Sequence, residues 1–383
     1  MTTVPQPTQA PPQATTAAER DDLRAMVRAF ARDHFPPEEV RRVSGTDAGY
    51  DHAAWSGLGQ LGLAGLLVPA THGGAGCGLP EAAVVLEELG RVLACVPYLS
   101  SAVLAVTALL ASGDAAAQAE LLPRLADGTL LAAVAVSGPA GRADGTPGSL
   151  GVTASSSPGG VTLDGEALYV VDGHAAGVLL IAARDDSGTG LYRVAGDTPG
   201  LSRGVMPAID ATRALARLAF RDVLAQPLGP PGSGAAALAR VLDTGVVALA
   251  AEAVGGAAQA LDLAVSHAKQ RVQFGRPIGS FQAVKHKCAD MLVALEGARA
   301  ALDGALEAAA GGAGDPGIAA LVAGLHCSAA YTHITAESIQ VLGGTGFAWE
   351  HPAHLYFRRA RSSAVLFGTE TQHRATLADR LGL

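Results

Sequence analysis

Arg271, Phe274 and Gln282 bring a guanidinium, an aromatic ring and an amide together around a short Phe-Gly-Arg-Pro-Ile-Gly loop. An arginine at the C-terminal end of a helix suits the dipole there, and its fork of N–H donors can hold a phosphate. Further along, Gln340 precedes Gly343-Gly344. A helix that ends in Gly-Gly exposes backbone that a bulky cofactor can approach closely. By spacing alone, the first stretch is a capped helical hairpin and the second an ordinary glycine cap, and these plain readings lead. Glu350-His351-Pro352-Ala353-His354 has the composition of a metal site but no third ligand in pattern, so it reads as structural hydrogen bonding.

These residues need helices to carry them. Val254, Ala258, Leu261, Val265 and Ala268 fall at helical spacing before the loop, and Phe281, Val284, Cys288, Leu292 and Leu295 after it. The spacing predicts helices over about 235–272, 281–310 and 316–342 and a last one after Thr371, which together make an antiparallel bundle. Nearer the N-terminus, helices are expected over Ala17–Val43, broken at Pro36-Pro37, and over Ala82–Leu93, Val103–Leu110 and Ala116–Leu125. Between the two helical regions, glycine, proline and serine punctuate β-type runs at 161–163, 167–171, 178–183 and 215–220. The division is therefore a disordered tail (1–16), an N-terminal helical domain (17–130), a middle β-domain (131–228) and a C-terminal helical bundle (229–383), an α+β plan.

The chain is 383 residues long with a net charge of −8, and only 16% of it is charged, with no basic stripe. That excludes the usual signature of nucleic-acid binding. Cys77, Cys95, Cys288 and Cys327 lack metal spacing and read as reduced thiols of a cytoplasmic protein. No unbroken apolar run of membrane-spanning length is evident, so no membrane partner is expected.

Arg271–Met291 resembles the acyl-CoA dehydrogenase signature, in which Arg-x-x-Phe-Gly-x-x-Ile is followed by Phe-Gln-x-Val-Lys-His. Gln340-x-x-Gly343-Gly344-x-Gly346 resembles that family's Gln-x-x-Gly-Gly-x-Gly turn, and Gly368-Thr369 its flavin-contacting Gly-Thr. The resemblance implies a three-part fold and FAD. The Arg–Phe loop and the Gly-Gly turn would hold the pyrophosphate and adenosine partly across a subunit boundary, hence in a homo- or hetero-oligomer. The β-domain would cover the flavin ring, with Ser137 keeping a hydroxyl and Tyr169 an aromatic face where the family has its Thr-Glu-Pro and Lys-x-Trp-Ile-Thr patterns. Val171 stands where a threonine would reach flavin N5, and the 141–149 loop lacks the usual Gly-Ser-Asp. The implied activity is α,β-dehydrogenation of an acyl-CoA or acyl-carrier thioester, with electron-transfer flavoprotein as electron acceptor.

That reaction needs a carboxylate base within reach of the α-proton. Phe367 and Gly245 occupy the two positions where the family places it. Three carboxylates are candidates to substitute. Glu252, seven residues past Gly245, shares its helix face but lies roughly 10 Å further along. Asp243 points about 200° away, and Glu370 reads as a helix-start charge. Glu252 is the best of the three, although a structural role leads for each. The backbone N–H of Phe367 remains able to polarise a thioester carbonyl. The alternatives are a non-catalytic, FAD-contacting partner subunit of a hetero-oligomer and a flavoenzyme with altered chemistry.

Overall fold

The computed structural model describes residues 15–138, 147–157, 159–186 and 188–383. The expected tail (save Thr15 and Thr16), Pro139 and most of the 141–149 loop lie outside these. Thr16 belongs to the helical domain rather than to a tail. It caps α1 (Ala17–His34) in a reciprocal box with Glu19, which satisfies two of the free donors at the helix start. There follow α2 (Pro37–Ser44), α3 (His52–Gln60), α4 (Leu79–Arg91), a π-helical stretch Tyr98–Ala105, α5 (Val106–Ser112) and α6 (Ala115–Ala126). Arg24 and Arg28 of α1 reach over to Glu87 and Glu88 of α4, and they neutralise the buried Glu88 carboxylate from two sides. The helix expected at Val103–Leu110 is thus preceded by a wider turn. Its apolar pattern fits either winding, and the tertiary packing selects the π-form for the first half.

The β-domain comprises β1 (Ala132–Ala135), β2 (Val152–Ser157), β3 (Gly160–Val171), β4 (Val178–Asp185), β5 (Gly188–Ala195), β6 (Leu201–Val205) and β7 (Leu215–Pro227). The order β1-β4-β2-β3-β7-β5, with β5 also pairing with β4, closes the sheet on itself around Leu163, Leu179, Ile181, Leu218 and Phe220. Closure removes most free edges. The serine-rich β2 and glycine-rich β5 escape a propensity reading because neighbouring strands hold them: β2 pairs along β3, and β5 along β4.

The C-terminal region begins with α7 (Gly234–Gln270), followed by the two-stranded hairpin β8 (Val272–Gln273) and β9 (Arg276–Pro277), α8 (Gln282–Ala309), α9 (Pro316–Leu342), α10 (Gly344–Phe347), α11 (Ala353–Ser363) and α12 (Glu370–Leu381). Three of these helices are long. The fourth expected helix is the short α12, and α11 is an additional one. By length and hydropathy α7 and α9 could cross a bilayer, but about half or more of each apolar window is buried inside the protein, as in a core helix. Glycine sets how closely α7 meets α4. A Cβ at Gly90 would lie 2.5 Å from the Glu252 carbonyl oxygen, and one at Gly255 would land on the Glu87 carbonyl oxygen.

Gly255→Ala is therefore expected to cost about 1–3 kcal/mol through overpacking. Gly297→Ala, on an open face of α8 with nothing nearby, should be neutral or stabilise by up to about 1 kcal/mol. Urea unfolding of both variants checks the contrast.

Candidate functional site

The candidate residues fall into an outward set and an inward set. Outward, α7 ends at Arg271, whose N–H still bonds the His267 carbonyl (2.8 Å). The chain then turns through Phe274 (φ +53°) and Gly275 (φ +76°), two consecutive left-handed residues of the kind that join tightly twisted strands. This lifts the Phe274 ring off the surface, 91% exposed. Phe281 meets it edge-on at 6.1 Å and carries the Arg276 guanidinium 4.2 Å above its own ring. Among the described residues no carboxylate pairs with Arg271. Gln282 opens α8 and is exposed. On the neighbouring helix, Gln340 is also exposed, and a Cβ at Gly343 or Gly344 would meet nothing. Gly343 has φ +61° and ψ −138°, a conformation open to glycine and costly for other residues. No hydrogen bond or ion pair links the Arg271 loop to the Gly343 turn among the described residues. They are two separate contact points on one end of the bundle. His351 and His354, close by, bond the backbone of their own loop: the Ala353 N–H donates to His351 Nδ1, and His354 Nε2–H donates to the Trp349 carbonyl.

Inward, the hydroxyls are committed. Ser137 Oγ donates to the Leu168 carbonyl (2.6 Å). Thr369 caps α12 in a box with Gln372. Tyr169 remains partly exposed on a bulge of β3, at φ +58°. Val171 is buried.

Phe367 and Gly245 face each other. A Cβ on Gly245 would lie 3.0–3.1 Å from two carbons of the Phe367 ring and 3.3 Å from Leu104 Cδ2. Glycine on α7 is thus what admits the ring. Phe367 itself sits at φ +61°, a strained conformation for a bulky residue that packing must hold.

None of the three substitute carboxylates is free. Asp243 pairs with Arg380 (3.0 Å) and Glu370 with Arg374 (2.6 Å). Glu252 is the centre of something larger. It binds Arg213 and lies 3.7 Å from Arg359. Arg359 also donates to Asp210 (2.7 Å) and, through Nη2, to the Thr212 carbonyl (2.9 Å), while Arg213 donates to Ser363 Oγ (3.0 Å). Burial opposes the Arg359 charge, but Asp210 and Glu252 overcome it and push its pKa up. Glu252, the best of the three candidates for a base, thus has its carboxylate engaged by Arg213 with Arg359 alongside. Asp172, at φ +54° just beyond Val171, lies beside this cluster and accepts a hydrogen bond from Ser100 (2.5 Å). Its burial raises its pKa, opposed by the Ser100 bond and the nearby cations.

Behind the Gly368-Thr369 turn lies a cleft of about 470 Å³ between α7, α9 and α11, lined by Val246, Ala250, Arg361, Ser363, Thr369 and His373 among others. The sequence reading missed His373, Arg213 and Asp210. The run Asp210-Ala-Thr-Arg213, polar inside an apolar β-domain, was the available signal.

A closed β-domain set between two helical regions, with a projecting ring and an arginine that no carboxylate pairs among the described residues at one end, defines a three-part α+β protein with an outward-facing candidate site. The chain matches the acyl-CoA dehydrogenase N-terminal domain over residues 17–129 and the C-terminal domain over residues 232–382. It is 38% identical to acyl-CoA dehydrogenase IpdE2 of Mycobacterium tuberculosis, over 92% of this chain and 94% of that one. Among solved structures it resembles a single-substitution variant of the Tcur3481-Tcur3483 steroid ACAD (34% identity, TM-score 0.87, 96% of this chain and 99% of that one). It also resembles the ChsE4-ChsE5 complex of M. tuberculosis (28% identity, TM-score 0.87, 96% and 98%). The chain belongs to the acyl-CoA dehydrogenase family.

The buried Asp172 carboxyl makes a pH prediction. Its folded pKa is raised, so the native state loses stability as pH climbs from the unfolded carboxylate range, about 3.9, through the folded value. Asp172→Asn keeps an acceptor for Ser100 and tolerates positive φ. Its stability relative to wild type should therefore improve with rising pH, and the gain should vanish near pH 4. Thermal melts across pH 4–8 read this directly.

Proposed function

We propose that this chain serves the α,β-dehydrogenation of an acyl thioester, acyl-CoA in the first place, as a FAD-dependent flavin oxidoreductase. The observation that supports the reading is Arg271, which no carboxylate pairs among the described residues, on the same short hairpin that projects the Phe274 ring. The residues fit FAD on this side. Arg271 would hold a phosphate bidentately, Phe274 would stack on a flat heterocycle, and Gly343 and Gly344 would let the cofactor approach backbone, with Gln282 and Gln340 beside them. Because these groups face outward, they would act on FAD shared with a second chain, hence an oligomer. Tyr169 and the Gly368-Thr369 turn offer the inner surfaces. FAD, when bound, supplies hydride-accepting chemistry. The N–H of Phe367 would polarise the thioester carbonyl. Electron-transfer flavoprotein as acceptor and a cytoplasmic location belong to the same reading.

A second reading rests on one observation: the Phe367 ring fills the space over Gly245, and each candidate carboxylate is already paired. On that reading the chain is a partner subunit that lends its clamp to a sister chain holding the base. The likeness to the ChsE4-ChsE5 complex supports such an arrangement.

Purified protein offered FAD should turn yellow and melt at higher temperature. Arg271→Ala should weaken that binding about tenfold or more, as expected for a lost charge-assisted bond. In Phe367→Glu, acyl-CoA should bleach the bound flavin faster than in wild type. Failure of wild type to take up FAD, alone or with a sister chain, sinks the reading.

A further inference from the structure

The turn Leu366–Thr369 contains two successive residues at positive φ, Phe367 (+61°) and Gly368 (+130°). For a bulky residue such as Phe367 that backbone is strained and persists only where its surroundings over-determine it, whereas glycine adopts it readily. The Thr369 cap holds the Gly368–Thr369 peptide, whose N–H donates to Gln372 Oε1 (2.8 Å), but it does not hold the Phe367–Gly368 peptide. One side chain does. His373, on the first turn of α12, folds back so that its Nε2 lies 3.2 Å from the Phe367 carbonyl oxygen. The ring also fills the space beside Gly368. A Cβ there would lie 2.5 Å from Nε2 and 2.7 Å from Cδ2, so glycine at 368 and histidine at 373 are a matched pair. The helix supplies the reach, since the His373 N–H bonds the Thr369 carbonyl (2.9 Å) and the first turn of α12 begins at the strained turn itself.

We propose that His373 is the positioning residue of this turn, its Nε2–H holding the Phe367–Gly368 peptide in one orientation. A carbonyl can only accept, so the proton must sit on Nε2, which leaves Nδ1 as a bare acceptor on the side of Gly324 and the cleft. Burial lowers the pKa of His373, partly offset by the Phe367 bond, and this agrees with a neutral ring. Through the peptide it holds, His373 fixes both the direction of the Phe367 ring against Gly245 and the placing of Thr369. In its effect on flavin the inference rests on the reading of the Gly368-Thr369 turn as a flavin contact, while the tautomer and the turn geometry stand apart from it.

Two variants separate hydrogen bonding from bulk. His373→Gln can present an amide N–H near the place of Nε2, and His373→Leu cannot. With FAD-loaded protein, His373→Leu should raise the FAD Kd about tenfold, the worth of one good buried hydrogen bond, and shift the visible flavin spectrum. His373→Gln should stay within about twofold of wild type. Nitrogen-resolved NMR of the histidine side chains in the FAD-free chain should find the His373 proton on Nε2. The proposal is overturned if that proton is on Nδ1, if His373→Leu behaves as wild type, or if His373→Gln is as impaired as His373→Leu. Should wild type bind no FAD, the flavin assignment fails by itself. The tautomer, together with rescue of thermal stability by Gln but not Leu, then decides the role of His373.

Discussion

Arg359 is buried where the three parts of the chain meet, and the arrangement of the site depends on its being paired. A lone guanidinium there would face a desolvation penalty of several kcal/mol. Asp210 and Thr212, from the loop before β7, and Glu252, from α7, remove that penalty together, and Arg213 pairs with the other side of Glu252. The cluster ties the β-domain to α7 and α11 by directional bonds. Apolar packing alone would allow these layers to slide, whereas a satisfied ionic cluster in a low dielectric has one geometry. Removing one partner would strand a buried charge and cost about 3–5 kcal/mol.

The same cluster engages Glu252, the candidate carboxylate that shares a helix with Gly245. A carboxylate serves as a base when its proton affinity is matched to the task and its lone pairs are free. Glu252 is in the right part of the fold but is bound by cations. Where the family resemblance places a base, Phe367 and Gly245 have exchanged a charge for an apolar contact. The outward end of the bundle has the opposite character, with the exposed Phe274 ring and an Arg271 that no carboxylate pairs among the described residues. One chain thus presents an arginine and an exposed ring at one end of the bundle, and an apolar Phe367–Gly245 contact where the resemblance would put a carboxylate.

Much of this was legible in the sequence. Long periodic apolar patterns located α7, α8 and α9, and glycine and proline located the turn between α7 and α8, because both signals are local. Strands β2, β5 and β6 were not legible, since their Ser- and Gly-rich residues adopt strand geometry only through their neighbours. The π-helical turn escaped because an apolar run does not distinguish two windings. The ionic cluster escaped for another reason. Asp210 and Arg213 look like surface charges in their own segment, Glu252 reads as a candidate base, and one of Arg358, Arg359 and Arg361 is expected in an internal ion pair, but only the fold brings Asp210, Arg213, Glu252 and Arg359 together. His373 was hidden likewise, as an ordinary polar residue of a terminal helix.

The central claim is that the Arg271–Phe274 clamp acts on FAD across a subunit boundary. Sedimentation velocity recorded at the visible flavin band, over a dilution series that dissociates the oligomer, tests it most directly. The account predicts that flavin sediments with the oligomer and is released as the oligomer dissociates, and that Arg271→Ala weakens its retention without changing the protein's own association. Flavin that remains with the monomer at undiminished occupancy, indifferent to Arg271→Ala, would contradict it.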